Sequence, residues 1–229
     1  MTPELCIVVP VLDEAPTLAR RLQALEPLRG RGARVVVVDG GSADDTLAVA
    51  RAHADLALRA PRGRASQMNA GAAACSAELL LFLHADTTLP EGADALVRRA
   101  TAAAHAWGRF DVRIDSPRRL LRLVAALMNL RSRWSGIATG DQALFVRRAL
   151  FERVGGFPDL PLMEDIAISR LLKRHGPPAC LRERVTTSAR RWEQHGAWRT
   201  IWLMWRLRAA FFLGADAREL AVRYGYRPR

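Results

Sequence analysis

Arg34-Val35-Val36-Val37-Val38-Asp39-Gly40-Gly41-Ser42-Ala43-Asp44-Asp45-Thr46 is the stretch that decides the fold: four consecutive valines end on a carboxylate, with two glycines and a serine directly behind. An unbroken apolar run of this kind fits a strand covered on both faces. The Asp39-Gly40-Gly41-Ser42 turn then exposes a carboxylate and backbone amides where the strand leaves the core. Two other segments repeat the arrangement. Leu5 to Val9 runs into Pro10-Val11-Leu12-Asp13-Glu14, and Leu79 to Leu83 runs into His84-Ala85-Asp86.

Helical stretches separate these runs. Pro16 to Leu28 carries Leu18, Leu22 and Leu25 at helical spacing, Ala43 to His53 follows a Ser42 suited to capping it, and Ser66 to Cys75 is small and helix-compatible. The alternation predicts a parallel, right-handed, doubly wound α/β sheet whose ligands bind beyond the carboxyl ends of the strands. The second half is less regular: a strand around Arg109 to Ile114, a basic, leucine-rich helix over Pro117 to Trp134, and Gly140-Asp141-Gln142 before another apolar run. A Gly155-Gly156-Phe157-Pro158 turn follows, and Met163-Glu164-Asp165 opens a helix that ends at Gly176.

Composition bounds the reading from outside. The chain has 229 residues, 50% hydrophobic and 25% charged, which suffices for a core and excludes disorder, collagen-like repeats and a disulfide scaffold. Cys6, Cys75 and Cys180 are an odd number without a Cys-x-x-Cys pair, so they read as core fillers in a reducing compartment. Without a recognisable secretory leader before Leu5, the expected location is cytoplasmic, at the inner face of the membrane if the chain touches one. The net charge of +12 rests on arginine, Lys173 being the only lysine, in a chain also crowded with alanine. That is the mark of a GC-rich genome, so nucleic acid is not an expected partner; small-ligand phosphates or an anionic membrane surface fit the charge.

Four places carry candidate chemistry. Asp39 is either a turn residue, with Ser42 or Asp44 capping the next helix, or an acceptor for a ligand's base or ribose. Asp86 is a hard oxygen ligand at a strand end, suited to Mg²⁺ or Mn²⁺ on a diphosphate. Arg62-Gly63-Arg64-Ala65-Ser66 sets two guanidinium groups before a helix N-terminus, where phosphate is attracted. Glu164 and Asp165 open a helix, either as dipole-favoured acids or as a general base aimed into a cleft.

Taken in order, these segments resemble the family 2 glycosyltransferases, which have the GT-A fold. Pro10 to Glu14 is similar to that family's Pro-x-x-Asn-Glu, with Asp13 in place of Asn, and Asp39-Gly40-Gly41-Ser42 with Asp44 and Thr46 to its Val-Asp-Asp-Gly-Ser-x-Asp-x-Thr. His84-Ala85-Asp86 stands at the family's Asp-x-Asp, as in a small bacterial subgroup, and Gly155-Gly156-Phe157 with Glu164-Asp165 at its Gly-Gly-Phe and Glu-Asp signature. The resemblance implies a three-layer α/β/α fold with a mostly parallel central sheet, as one domain over 1–229 with 190–229 an amphipathic helical extension. It implies an inverting transfer from a nucleotide-sugar donor, a UDP-sugar, to an acceptor hydroxyl.

By the same resemblance Pro10, Glu14 and Asp39 line the nucleotide pocket with Ala85 and Glu164, Arg64 and Asn69 approach ribose or diphosphate, Asp86 holds the divalent metal and Asp165 is the base. His84 replaces the first Asp of Asp-x-Asp, and Met68 stands where the family commonly has arginine, so Arg62 or Arg64 supplies that charge. A late histidine completes the metal shell in some relatives, which nominates His195.

Trp198 to Leu213 is too short and too rich in arginine to span a bilayer. On a helical wheel Trp198, Ile201, Trp202, Trp205, Ala209 and Phe212 share one face, and Leu203, Leu207 and Phe211 the other. One face packs on the domain; the second suits burial, a second copy in a homodimer, or a membrane interface with a lipid-like acceptor. Two other functions compete: a metal-dependent nucleotidyltransferase, which would release pyrophosphate, and a non-catalytic membrane or polyanion binder with no use for Asp86.

Overall fold

The computed structural model describes residues 4–226, without the side chains of Arg191, His195 and Ala197. In the first half β1 (Leu5–Val11) leads to α1 (Ala15–Gln23) and α2 (Glu26–Arg29), β2 (Arg34–Asp39) to α3 (Thr46–His53), and β3 (Leu56–Arg59) to α4 (Arg64–Ala73). Then come β4 (Leu79–Phe82), the two-residue β5 (Thr87–Thr88) and α5 (Ala93–Ala103). The second half runs β6 (Trp107–Asp115), α6 (Arg119–Ser135), a 3-10 turn at Gly140–Gln142, β7 (Phe145–Arg147), α7 (Arg148–Arg153) and α8 (Glu164–Lys173). It closes with β8 (Ala179–Ser188), α9 (Arg190–His195), α10 (Ala197–Phe212) and α11 (Ala217–Arg223).

These strands form one sheet in the order β3-β2-β1-β4-β7-β6-β8-β5. β3, β2, β1 and β4 are mutually parallel, as are β6 and β8, whereas β7 runs antiparallel to both its neighbours and β5 antiparallel to β8. Alternation along the strands builds the layers. Ile7, Val9, Val35, Val37 and Leu81 face a cluster with Leu18 and Leu22 of α1, Ala50 of α3 and Val97 of α5. Cys6, Val8, Val36, Val38 and Phe82 face Met68 and Ala72 of α4, Phe151 of α7 and Ile168 of α8. The valine run is therefore buried on both faces, each side chain contributing roughly 1.5–3 kcal/mol by leaving water. Helix α4 comes so close that a Cβ on Gly71 would lie 2.4 Å from a Val8 methyl.

Several elements depart from the sequence expectation. Helix α3 begins at Thr46 rather than Ala43, and Asp44, not Ser42, accepts the Thr46 N–H, because the Ser42 hydroxyl is engaged by Asp39. The Pro16–Leu28 helix divides after Gln23 into α1 and α2, and β6 starts at Trp107, two residues ahead of the expected strand. Strands β3 and β8 were not expected: Leu56-Ala57-Leu58-Arg59 lacks β-branched residues, and β8 carries Arg182, Glu183 and Arg184. Cys6 and Cys75 do fill the core, whereas Cys180 is half-buried.

A buried polar knot ties β6 to α6. Arg109 is fully buried, donates to Asp111 and reaches the Asn129 carbonyl at 3.2 Å, while Arg133 donates to the other Asp111 oxygen at 2.7 Å. The Asn129 amide bridges the Val112 N–H and carbonyl. Removing one member of such a cluster strands a buried charge. Asp111→Asn is accordingly expected to lower the free energy of unfolding by about 3–5 kcal/mol, checked by urea denaturation followed by circular dichroism.

Candidate functional site

Strand direction gathers the nominated residues. β1, β2 and β4 are parallel, so the segments after Val11, Asp39 and Phe82 emerge along one edge. β7 runs the opposite way, with Phe145 beside Leu81, so the Gly140–Gln142 turn ahead of it arrives at the same edge. The first turn of α8 joins there: an Asp165 carboxylate oxygen accepts the Gly140 N–H at 3.0 Å, and its other oxygen accepts the Ile166 N–H at 2.7 Å.

Two loops at this edge are cross-bonded. Asp13 takes a left-handed backbone, φ 52°, which Asp and Asn tolerate, and its carboxylate accepts the Ala43 N–H at 2.8 Å. In the other direction the Asp13 and Glu14 N–H groups donate to the hydroxyls of Ser42 (2.9 Å) and Thr46 (2.8 Å). The Gln67 amide fills the gap where β1 and β2 end, donating to the Val11 and Val38 carbonyls at 2.8 Å each. Pro10 is buried within β1 opposite Val38. Asp39 is fully buried and accepts the Ser42 N–H (3.1 Å) and hydroxyl, with the Arg59 Nε 3.6 Å away. Its carboxylate therefore organises its own turn. Glu14 accepts from Thr17 (3.2 Å) and from Arg190 of α9 (2.7 Å), a contact spanning 176 residues.

Beyond β4, His84 is buried with its Nδ1 3.5 Å from an Asp141 oxygen. Position 140 must lack a side chain, since a Cβ there would lie 2.2 Å from the imidazole. Asp86 accepts the Thr87 hydroxyl at 3.3 Å, and Ala85 packs against the core. Among the described residues no three His, Cys, Asp or Glu side chains gather as a metal cage. One carboxylate with a single weak protein contact fits a different arrangement, in which a hard divalent ion shares one or two carboxylates with phosphate oxygens. Asp86 suits that. The His195 side chain lies outside the described residues, so its nomination stands apart from this geometry.

Glu164 is 4% exposed with one oxygen 4.0 Å from Arg64. Burial first, and then the charge of Asp165, push the Glu164 carboxyl up to about 7, against the opposing pull of Arg64. Arg64, exposed on its outer side, feels Glu164, Tyr224, Asp141 and Asp86, which hold its guanidinium above the usual range. Asp141 is shifted the other way: His84, Arg64 and Arg208 outweigh burial and lower its carboxyl. Arg64 is thus the cation around which Asp86, Asp141 and Glu164 meet. A small hollow beside it is lined by Met68, Phe82, His84, Gly140, Glu164 and Asp165. A roomier cavity of 470 Å³ lies along β8 and α9 between Arg21 and Arg190, and among the nominated residues none lines it.

Two nominated residues are engaged otherwise than the sequence suggested. Both ends of the Asn69 amide bind the Phe157 backbone, donating to its carbonyl at 2.8 Å and accepting its N–H at 2.9 Å, so Asn69 clamps the Gly155-Gly156-Phe157 turn. Arg62 lies over the Tyr226 ring, 5.6 Å from its centroid. Asp141, which had no assigned role, enters through the direction of β7, a three-residue strand whose polarity only its pairing reveals.

Comparison with known proteins bears on this edge. The profile of Glycosyl transferase family 2 matches residues 6–155. A PGL/p-HBAD biosynthesis glycosyltransferase of Mycobacterium bovis is 30% identical over 172 residues, covering 68% of this chain and 63% of that protein. The chain thus spans less than two thirds of that relative's length. A pre-mycofactocin glycosyltransferase of Mycobacterium tuberculosis is 37% identical over 97 residues, 39% of this chain and 19% of that one. Among solved structures, the mannosyltransferase PcManGT from Pyrobaculum calidifontis, in complex with GDP-Man and Mn²⁺, superposes with a TM-score of 0.66 at 22% identity, covering 100% of this chain and 66% of that one. S. aureus TarS 1–349 in complex with UDP-GlcNAc gives 0.64 at 16%, covering 82% and 58%. The mixed, mostly parallel sheet is that of the GT-A structures.

The raised Glu164 carboxyl couples stability to pH. A folded value near 7 against 4.5 unfolded means that its contribution is complete below pH 4.5 and is lost as pH rises through 7. Glu164→Gln should therefore match the wild type in melting temperature near pH 4.5 and exceed it at pH 8, as thermal melts across that range would report.

Proposed function

The chain belongs to glycosyl transferase family 2, and from that premise we propose that it moves a sugar from a UDP-linked donor to an acceptor hydroxyl with inversion at the anomeric carbon. The observation that carries this reading is the meeting of Asp86, Asp141, Glu164 and Arg64 at the strand edge, with Asp165 bonded into the same turn. The complexes of PcManGT with GDP-Man and of TarS with UDP-GlcNAc support a nucleotide-sugar donor. We read 1–229 as one catalytic domain whose last helices wall the site: Leu207 and Leu220 pack on Met163 and Ile166, directly beside Glu164 and Asp165.

In this reaction Asp165 takes the proton of the acceptor hydroxyl as the new carbon–oxygen bond forms and the bond to the nucleoside diphosphate breaks. The amides of Gly140 and Ile166 hold its carboxylate in one orientation, which is what a positioned base requires. Glu164 alongside, raised to about 7, adds less competing negative charge than an ordinary carboxylate would. Arg64 stabilises the charge that develops on the leaving diphosphate. Asp86 would hold a Mn²⁺ or Mg²⁺ ion, which neutralises diphosphate charge when bound. Pro10, Glu14 and Asp39 shape the nucleoside side of the pocket, Asp39 by fixing the Ser42 turn.

The outer helices support a second element of the reading, peripheral contact with an anionic bilayer. Leu123, Leu127, Leu130 and Trp134 form an exposed stripe on α6, and Trp198, Trp202, Trp205 and Phe212 another on α10, with Trp134 85% exposed. Arg118, Arg119, Arg122, Arg199 and Arg206 stand exposed around them. Among the described residues no helix is long and apolar enough to cross a membrane. Stripes of this composition fit an interfacial position, with a lipid-linked acceptor.

Asp165→Asn should retain donor binding and lose transfer by about 10²–10⁴-fold, while Asp86→Ala should abolish the Mn²⁺ dependence of UDP binding. Calorimetry with and without Mn²⁺, after a thermal-shift screen of nucleotide sugars, separates the two, and wild-type turnover in Asp165→Asn would remove it as the base. For the membrane surface, Trp202→Ala with Trp205→Ala should reduce cosedimentation with phosphatidylglycerol vesicles at low salt at least tenfold, each large apolar side chain contributing roughly 1.5–3 kcal/mol. Undiminished sedimentation, or a stable dimer of the wild type buried on those tryptophans, would refute it.

A further inference from the structure

Arg131 on α6 and Arg208 on α10 are close enough that each feels the other's charge. Among the described residues neither side chain makes a hydrogen bond or ion pair, and Nε and Nη2 of Arg131 and Nε of Arg208 are buried with no acceptor. Burial first, and then the charge of Arg208, bring Arg131 down to about 10. Nε of Arg21 and of Arg109 is also buried without an acceptor, but the terminal nitrogens of those two side chains are paired. Arg148 reaches three backbone carbonyls and Glu152, and buried Arg109 has both Asp111 and Asn129. Like charges on two half-buried side chains within electrostatic reach of each other are costly unless an anion joins them.

The protein's own carboxylates do not supply that anion. Asp165 lies within electrostatic reach of Arg131, and Asp141 of Arg208, yet the Asp165 oxygens are held by backbone amides and Asp141 by His84. The charges of Arg64 and Arg190, on the donor side, reach Asp86, whereas Arg208 reaches Asp141, which it shares with Arg64. Leu130 and Trp134 flank Arg131 along α6, and Trp205 and Phe212 flank Arg208 along α10, all exposed. An apolar rim around two half-buried arginines suits a phosphate with an organic body attached.

We propose that Arg131 and Arg208 form an anion subsite that holds a phosphate group carried by the acceptor, beside the base that deprotonates its hydroxyl. The inference rests on the transfer reaction proposed above for the roles of acceptor and base. Bidentate capture of one phosphate by both guanidinium groups satisfies the buried nitrogens and fixes the acceptor relative to Asp165. Arg131 and Arg208 are positioning residues in this account.

The test compares wild type with Arg131→Met, Arg208→Met and Arg131→Lys. Titrating inorganic phosphate and glycerol 3-phosphate by calorimetry, with UDP plus Mn²⁺ in parallel, should give phosphate binding that each Met variant weakens at least tenfold, that Arg131→Lys partly keeps, and UDP binding that none of them changes. The Met variants should also melt no lower than wild type, and up to ~2–4 °C higher, because an unpaired buried charge is gone; a merely structural arginine would melt lower. A preference for phosphatidylglycerol over phosphatidylcholine vesicles that disappears in the Met variants identifies a lipid phosphate, and phosphate binding without that preference a soluble ester. No phosphate binding to wild type, unchanged affinity in both Met variants, or UDP affinity falling in step would overturn the assignment. Failure of UDP to bind wild type while phosphate still tracks the arginines would instead refute the donor reading and leave the anion site standing.

Discussion

The site depends on β4 and β7 running in opposite directions side by side. Parallel strands alone would deliver the loops after β1, β2 and β4 to one edge and leave that edge without an opposing wall. The reversal at β7 brings the Gly140–Gln142 turn back to it, and the Gly140 amide then receives Asp165 from a helix that begins more than twenty residues later. One hydrogen bond thus joins the half of the sheet that carries the loops after β1, β2 and β4 to the half that carries Asp165. Gly140 is needed twice, since its amide holds Asp165 and its missing side chain leaves room for His84.

Rigidity at the ends of β1 and β2 comes from backbone donors answered by side chains of the neighbouring loop. Asp13, Ser42, Asp44 and Thr46 form a reciprocal set, so the loops after β1 and β2 hold each other rather than waiting for a ligand. Preorganisation of this kind lowers the ordering cost of binding. It also explains why a fully buried Asp39 belongs at a binding edge: its role lies in the shape of the turn.

Much of this was legible from residue order. Runs such as Val35 to Val38 can only be buried strands, and the carboxylates behind three such runs follow the edge rule for parallel sheets. Pairing was the illegible part. Leu56–Arg59 lacks β-branched residues, and Ala179–Ser188 breaks its strand pattern with Arg182, Glu183 and Arg184 ahead of Val185-Thr186-Thr187; both pair along neighbouring edges. Asn69 is nominated by the family resemblance alone; its amide turns toward Phe157, a contact 88 residues away that no local pattern encodes. Arg131 and Arg208 were hidden among thirty-three other basic residues, and only the lack of partners sets them apart.

β8 lies between β6 and β5, parallel to β6, and its residues come after every other strand in the chain. Until that segment is synthesised, β6 presents a row of unsatisfied amides and carbonyls along most of its length, the kind of edge that templates association between chains. Closure of the sheet thus waits until β8 has been synthesised, and the arginines and glutamate strewn through that strand are residues of the kind that keep an unpaired segment soluble.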